Sequence, residues 1–394
     1  MAPETNNPER RRSNRPPAQY AHVIGWGMAV PDTILTNDDL AAIVETNDEW
    51  IRTRTGIRER RIASDRDSAA TLGHRAAQRA LEVANLLPTD IDMIIVATST
   101  PEHIFPSTAS LIQDWLGASN AGAFDLSAAC SGFVYAVSLA AQSIMAGGIK
   151  SALVIGSETM SRVLDWQDRS TCILFGDGAG AIVLGASDEE GGIMSSVLRS
   201  DGAGHDLLAI PTNNTRNLNG HKLGKMYMHG GEVFKFATRV VDESIRQTVE
   251  KAGLQLSDIN LVIPHQANHR ILQTAAKKLN IGMDRFVSNV ERYGNTSAAS
   301  IPIALCEALE QGRIKDGDHL VMVGFGGGLS WAAMCLKWGV PETLFQPSAP
   351  FGRQRRQATY VLANLRSRIN RLRRRVNRWL ELLFSTKKTP TNSR

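Results

Sequence analysis

The chain of 394 residues is 43% hydrophobic and 21% charged, a composition typical of a soluble globular protein long enough for two domain-sized units. Its cysteines, Cys130, Cys172, Cys306 and Cys335, lie far apart without a CxxC pair, which argues against a zinc site or a disulfide framework and favours the reducing cytoplasm. No apolar run reaches the roughly 18 residues of a membrane span, and residues 1–19 lack the apolar region of a signal peptide, so we expect them to form a disordered arm.

Short apolar runs of strand length alternate with longer stretches of helical periodicity along most of the chain. The predicted strands, in chain order, are residues 22–26, 93–97, 152–155, 181–184, 261–263 and 320–323. This alternation predicts an α/β architecture with buried sheets.

Two segments of the chain resemble each other. Residues 80–100 and 248–268 each read as a helix end, a polar turn and a buried strand that is followed by polar residues. A weaker pair, residues 149–158 and 315–326, follows in the same order, which indicates a duplication. The predicted organisation is an N-terminal arm (1–19), two α/β halves (20–190 and 191–340), a linker (341–359), a basic helix (360–384) and a disordered end (385–394).

The positive net charge of +5 is concentrated at the end of the chain. From residue 351 onward there are eleven arginines, two lysines and one glutamate, so this tail carries +12 and residues 1–350 carry −7. The basic pI of 9.1 therefore describes the tail and not the body. We expect no nucleic-acid partner.

Three polar residues stand at predicted strand or helix ends. Cys130 lies where the strand-like run 123–126 gives way to a helix of small residues, and a helix N-terminus lowers a thiol pKa towards the thiolate. His265 directly follows a buried strand, and Asn295 lies in a Gly-Asn-Thr-Ser turn that opens another helix. Each of these residues, taken alone, is more typical of a structural role. In open α/β sheets, however, the strand and helix ends that carry such residues converge on one site.

A thiol, an imidazole and an amide suit either cysteine hydrolysis or acyl transfer followed by carbon–carbon bond formation. The spacing between Cys130 and His265 also fits papain-type hydrolases, but the hydrolase signature around the cysteine is absent. There is likewise no G-x-S-x-G elbow of a serine hydrolase. These observations favour acyl transfer onto Cys130.

Five motifs, DLSAACSGF, FGDGAGAIVL, PHQANHRI, GNTSAAS and GFGGGLSW, resemble those of β-ketoacyl-acyl-carrier-protein synthase III of the thiolase superfamily, in that family's order and spacing. The resemblance spans about residues 20–340. It implies a thiolase-like fold, with two duplicated α/β halves in an αβαβα sandwich, and a homodimer that condenses an acyl-CoA with malonyl-acyl carrier protein to initiate fatty acid synthesis. The alternatives are a condensing enzyme of specialised metabolism with another starter or acceptor, and a non-catalytic scaffold, against which the intact Cys130, His265 and Asn295 argue.

The resemblance also implies a role for each site residue. Cys130 is the expected nucleophile, the backbone N–H groups of Cys130 and Gly327 form the expected oxyanion hole, and His265 and Asn295 are expected to hydrogen-bond the malonyl thioester carbonyl. The expected coenzyme A contacts are Trp50, Arg54 and Arg169. The expected carrier-protein contacts are Arg270, Lys277 and Lys278, and the expected acyl-pocket residues are Phe105, Phe175 and Phe325. No metal or cofactor is expected.

The resemblance ends near residue 340, and the tail must be interpreted from its own pattern. Between residues 360 and 384, apolar residues at steps of three and four predict one stripe on a helix: Leu362, Leu365, Ile369, Leu372, Val376, Trp379 and Leu383. Arginines fill the other faces: Arg366, Arg368, Arg371, Arg373, Arg374, Arg375 and Arg378. A solvated helix, a coiled coil, the acidic carrier protein and the acidic body are alternatives, but an anionic membrane surface fits best.

Overall fold

The computed structural model of the protein describes residues 19–344 and 352–385. The strands of the first half are β1 (Tyr20–Ala29), β2 (Ile34–Thr36), β3 (Glu59–Arg61), β4 (Met93–Ala97), β5 (Gly122–Leu126), β6 (Ser151–Thr159) and β7 (Asp177–Ser187). Its helices are α1 (Asn37–Ala41), α2 (Asp48–Thr55), α3 (Ala69–Ala84), α4 (Thr108–Leu116), α5 (Gly132–Met145) and α6 (Arg169–Cys172).

The second half follows the same alternation. Its strands are β8 (Gly192–Ser200), β9 (Leu208–Ala209), β10 (Tyr227–Met228), β11 (Leu261–Pro264), β12 (His319–Gly326) and β13 (Ser330–Lys337). Its helices are α7 (Gly230–Lys251), α8 (His269–Leu279), α9 (Val290–Tyr293) and α10 (Ser300–Glu310), after which comes α11 (Gly352–Ser385). The six strands predicted from the sequence lie within β1, β4, β6, β7, β11 and β12, which confirms those assignments.

The two halves repeat one topology. A five-stranded sheet has the order β1-β7-β6-β4-β5, and a four-stranded sheet has the order β8-β13-β12-β11. In each sheet the first three strands pair antiparallel, and the third strand pairs parallel with the fourth: β6 with β4, and β12 with β11. The duplicated α/β fold expected from the sequence is therefore confirmed.

The core is organised in five layers. Helices α5 and α10 lie between the two sheets, and their small apolar side chains share one core cluster with strands from both sheets. Helices α3 and α4 cover the outer face of the five-stranded sheet, and α7 and α8 cover that of the four-stranded sheet. This is the predicted αβαβα sandwich, and it buries most of α10 and all of α5 except one exposed face that includes Leu139 and Met145.

A glycine in β6 brings the two halves together near the ends of the central helices. A Cβ at Gly156 would overlap the backbone of Ala298 and Ala299, so only glycine lets this turn rest on the sheet. The turn that carries Asn295 is thereby held against the strands of the first half.

The C-terminal helix begins earlier than the sequence analysis predicts. Helix α11 starts at Gly352, so the last eight residues of the predicted linker 341–359 are helical. The predicted arm and end lie outside the described residues, apart from their inner boundaries. Within the described residues no helix is both long and apolar enough to cross a membrane.

Candidate active site

Cys130 lies in a tight turn between β5 and α5. The turn is formed by Ala129–Ser131 and is entered through Ala129, whose φ of +46° is in the left-handed region. Cys130 is only 6% exposed. The end of β12 packs against it, because a Cβ at Gly326 would lie 2.7 Å from the Cys130 nitrogen and 3.0 Å from its Cβ. Only a glycine at 326 admits this approach.

His265 and Asn295 share one cavity with Cys130. His265 follows β11, and its backbone N–H donates to the Val323 carbonyl at 2.8 Å, which fixes it beside β12. Its ring meets Phe325 edge-on, with 5.1 Å between centroids, and its buried Nδ1 has no partner among the described residues. The shared cavity of about 190 Å³ is lined by Cys130, His265, Asn295, Phe175, Phe325 and neighbouring residues. The structure therefore brings the three predicted catalytic residues together.

Asn295 is held by three hydrogen bonds, one of which engages its amide oxygen. Its Oδ1 accepts from the Ser297 backbone N–H at 2.8 Å. Its backbone N–H donates to the Leu174 carbonyl at 2.8 Å, and its carbonyl accepts from the Gly176 N–H at 3.1 Å. Since Oδ1 already accepts a backbone hydrogen bond and no bond to Nδ2 is formed within the described residues, we expect the side chain to act on a substrate as a donor.

Burial determines the protonation of the two titratable groups. It raises the pKa of the Cys130 thiol to about 12, and the hydrogen bond with Ser297 opposes this shift only in part. Burial therefore opposes the lowering of the thiol pKa that the helix N-terminus is expected to cause, and the activation of Cys130 by that helix end stays a prediction. Burial also lowers the pKa of His265 to about 3, so its imidazole is neutral and can donate one hydrogen bond.

Two residues that the sequence analysis did not assign lie behind the nucleophile. The Cys130 thiol donates to Ser297 Oγ at 3.5 Å, and the Ser297 hydroxyl donates to Glu158 Oε1 at 2.9 Å. Glu158 is fully buried at the end of β6 and also accepts from Thr100 Oγ1 at 2.6 Å and from the Ser99 N–H. A glutamate at the end of an otherwise apolar strand was the signal available in the sequence.

A second, larger cavity opens from the other side of Cys130. It measures about 720 Å³ and is lined by Ala129, Gly327 and Ser330 near the thiol and by apolar residues farther away: Met160, Phe175, Leu208, Ile210, Met226 and Leu329. Cys130 borders both cavities, so its thiol can be reached from either one.

The three predicted acyl-pocket residues are distributed differently. Phe175 lines both cavities, whereas Phe325 lines only the smaller one, beside His265. Phe105 lines neither and is 84% exposed on its own chain. Within a single chain, only Phe175 therefore belongs to the larger cavity.

The predicted coenzyme A contacts form one cluster near the smaller cavity. The guanidinium carbons of Arg54 and Arg169 lie 4.5 and 5.0 Å from the centroid of the Trp50 ring. Asn268, which lines the cavity, donates to the Arg54 carbonyl at 3.0 Å, and Ser170, beside Arg169, also lines it. Because Arg169 already rests on Trp50, a base can stack between them only if the guanidinium moves outward.

The three residues predicted to contact the carrier protein lie on α8, and they differ in the contacts that they already make within the chain. Arg270 lies over the ring of Phe234, a residue that lines the smaller cavity, with 5.3 Å to the ring centroid. Lys278 is paired with Asp242 of α7 at 3.0 Å, so its charge is partly neutralised within the chain. Lys277 is exposed.

Comparison with known proteins identifies the family. The family model for 3-oxoacyl-[acyl-carrier-protein (ACP)] synthase III matches residues 124–202, and the model for its C-terminal part matches residues 249–338. The β-ketoacyl-[acyl-carrier-protein] synthase III of Symbiobacterium thermophilum is 53% identical over 322 residues, which cover 80% of this chain and 98% of that protein. The chain belongs to the β-ketoacyl-[acyl-carrier-protein] synthase III family.

Solved structures of condensing enzymes superpose on most of the chain. The 3-oxoacyl-[acyl-carrier-protein] synthase III of Aquifex aeolicus is 47% identical, with a TM-score of 0.77, and the match covers 81% of this chain and all of that structure. The priming β-ketosynthase of the R1128 polyketide pathway is 38% identical, with a TM-score of 0.77, over 84% of this chain and 99% of that structure. The protein is thus an acyltransferase of the condensing type with the thiolase-like fold.

No metal centre is apparent in residues 19–344 and 352–385, where no group of three or more histidine, cysteine, aspartate or glutamate side chains is placed to hold an ion.

Proposed function

We propose that the protein transfers an acyl group from coenzyme A to Cys130 and condenses it with malonyl-acyl carrier protein, giving the β-ketoacyl product that initiates fatty acid synthesis. The observation that carries this proposal is the position of Cys130 between two cavities. The smaller one presents His265 and Asn295 as hydrogen-bond donors, and the larger apolar one has room for an acyl chain. We assign no cofactor, because thioester exchange and decarboxylation need only donors, a nucleophile and a shielded cavity.

In the first step, the Cys130 sulfur attacks the thioester carbonyl of the acyl-CoA. The backbone N–H groups of Cys130 and Gly327 are the proposed donors to the oxyanion, and Gly327 lines the same cavity as the thiol. The carbon–sulfur bond to coenzyme A breaks as the new one forms. The proton of the Cys130 thiol is transferred to the sulfur of coenzyme A, so the products are acyl-Cys130 and free coenzyme A with its thiol protonated.

In the second step, malonyl thioester replaces coenzyme A in the smaller cavity. As carbon dioxide leaves, charge accumulates on the thioester oxygen, where His265 and Asn295 donate hydrogen bonds that strengthen in the transition state. The enolate carbon then attacks the acyl carbonyl on Cys130. The thiolate released is reprotonated from water, because its pKa of about 12 lies well above neutrality.

The substrate contacts follow from the same arrangement. Trp50, Arg54 and Arg169 are the proposed site for the adenine and phosphates of coenzyme A, and Arg270 with Lys277 is the proposed docking surface for the acidic carrier protein. The likeness to a priming β-ketosynthase of a polyketide pathway supports, as a second candidate, the same reaction with a starter or acceptor of specialised metabolism.

A homodimer in the cytoplasm is the proposed working form. Strand β5 is the edge of its sheet, and the apolar side chains of Phe124, Ile104 and Phe105 near it are 41%, 86% and 84% exposed. An unpaired strand edge beside exposed apolar residues suits pairing with a second copy. Phe105 would then close the larger cavity of the partner.

The proposed location of the protein is the cytoplasmic surface of a membrane, to which it would attach through α11.

The acylation step gives the direct test. Incubation with an acyl-CoA alone should add one acyl group to Cys130, as found by intact-mass and peptide-mass measurement over straight and branched starters. Cys130→Ala should remain unmodified. Acylation at another cysteine, or no adduct with any starter, would contradict the assignment. The starter that is transferred fastest distinguishes fatty acid initiation from the specialised alternative.

A further inference from the structure

Helix α11 contacts the body of the enzyme through one narrow face. Arg356 donates to Asn85 Oδ1 at 2.9 Å, and Ser367 donates to Asp114 Oδ2 at 2.5 Å. Between them Ala363 packs against Gly117, where an added Cβ would lie 2.7 Å from the Ala363 Cβ. Arg356, Ala363 and Ser367 are 7%, 9% and 6% exposed. These contacts, to the end of α3 and to the second half of α4, fix both the position and the rotation of the helix.

The apolar stripe of α11 lies on the opposite side of the helix. With 3.6 residues per turn, the stripe positions lie about 180° from the contact face. Their side chains are between 45% and 63% exposed: Leu362, Leu365, Ile369, Leu372, Val376 and Trp379. Within residues 19–344 and 352–385, the body therefore does not cover the stripe. The side chain of Leu383 lies outside the described residues.

The second part of the helix extends beyond the body. Every side chain from residue 368 to residue 380 is exposed. These 13 residues correspond to about 20 Å of helix, with the stripe running along its outer side.

Arginines border the stripe on both sides. Arg368 and Arg375 lie along one edge, and Arg366 and Arg373 lie along the other. Residues 352–380 contain no aspartate or glutamate, and among the described residues none of the seven arginines after residue 365 pairs with a carboxylate. Long arginine side chains can keep their charge at the level of lipid headgroups while apolar neighbours enter the acyl region.

We propose that the outer face of α11 binds the surface of a membrane that contains anionic lipids, with the stripe embedded and the arginines among the headgroups. The inference deepens the peripheral location proposed above and does not depend on the condensation reaction. A second copy of the helix is a poorer occupant, since a coiled coil would place unneutralised arginines of both copies together. The family-model match ends at residue 338, so α11 is an addition to the condensing body.

The test is co-sedimentation of the full chain with vesicles of phosphatidylcholine alone or mixed with phosphatidylglycerol. Binding to the mixed vesicles only is expected. Arg373→Gln/Arg375→Gln should bind about 25-fold more weakly, since each basic residue near anionic lipid contributes about fivefold, or about 1 kcal/mol. Leu365→Gln/Leu372→Gln keeps the charge but should lose about 100-fold or more, because two apolar side chains no longer enter the lipid.

The matched control is Asn370→Gln/Asn377→Gln, which changes two exposed positions off the stripe and should bind like the unaltered chain. Condensing activity of each variant in solution shows that the body is folded. Unweakened binding of the leucine variant, equal binding to neutral vesicles, or sedimentation with neither would overturn the proposal. So would a self-association that the leucine variant abolishes while vesicle binding persists.

Discussion

Replacing Gly326 by alanine should slow acylation of Cys130 by about 10- to 100-fold. The added Cβ would lie 2.7 Å from the Cys130 nitrogen, whereas an ordinary contact begins at 3.4 Å, so the nucleophile's turn must retreat by about 0.7 Å. Displacements of about 1 Å can cost about 100-fold in rate when reacting groups must be aligned. The overpacking should also lower the free energy of unfolding by about 1–3 kcal/mol.

The assay is the rate at which acyl-CoA alone acylates Cys130, followed by intact-protein mass under single-turnover conditions. Gly148→Ala is the matched control, because its added Cβ would have its nearest neighbour at 3.4 Å, on the surface after α5. If Gly326→Ala were acylated as fast as the unaltered protein, the close packing of β12 on the nucleophile would have no part in catalysis.

Three further results are expected. Glu158→Gln should lower the pKa of Cys130, because the negative charge of the buried carboxylate raises it. The rise of the iodoacetamide alkylation rate with pH should therefore occur at a lower pH in this variant. If that rise moved to a higher pH, Glu158 would instead be the acceptor of the thiol proton. Trp50→Ala should raise KM for acyl-CoA about tenfold with kcat little changed, and a fall in kcat alone would contradict its binding role. Burial lowers the pKa of His265 to about 3, so the unfolded chain binds a proton below pH 6.5 that the native state does not; this should remove about 2 kcal/mol of stability between pH 7 and pH 5. In urea unfolding, His265→Asn should lose less stability between pH 7 and pH 5 than the unaltered protein does. If the two proteins had the same pH dependence, the lowered pKa of His265 would be contradicted.

The sequence predicted the sheets and the layers because their signals are local. Six buried strands stand out as apolar runs, and the similarity of residues 80–100 to 248–268 reflects the matching units that end in β4 and β11. The start of α11 was less predictable. Residues 352–359 are polar and lack the stripe, and they are helical because Arg356 and its neighbours pack on the body.

The site was predictable in its residue types and less so in its electrostatics. Cys130, His265 and Asn295 carry recognisable motifs, and the structure places them around one cavity. The raised pKa of Cys130 results from its burial, to which elements distant in the sequence contribute, such as the end of β12. Likewise, the contact from Ser297 to Glu158 joins residues 139 positions apart, which no local pattern reveals.

The proposed division of labour between Cys130 and the two donors is best tested by measuring both half-reactions in His265→Ala and Asn295→Ala. Each variant should lose malonyl decarboxylation, measured as carbon dioxide release, while retaining most of the acyl transfer to Cys130; Cys130→Ala should retain decarboxylation and lose acylation. If His265→Ala or Asn295→Ala abolished acylation while decarboxylation persisted, the roles assigned to the two cavities would be wrong.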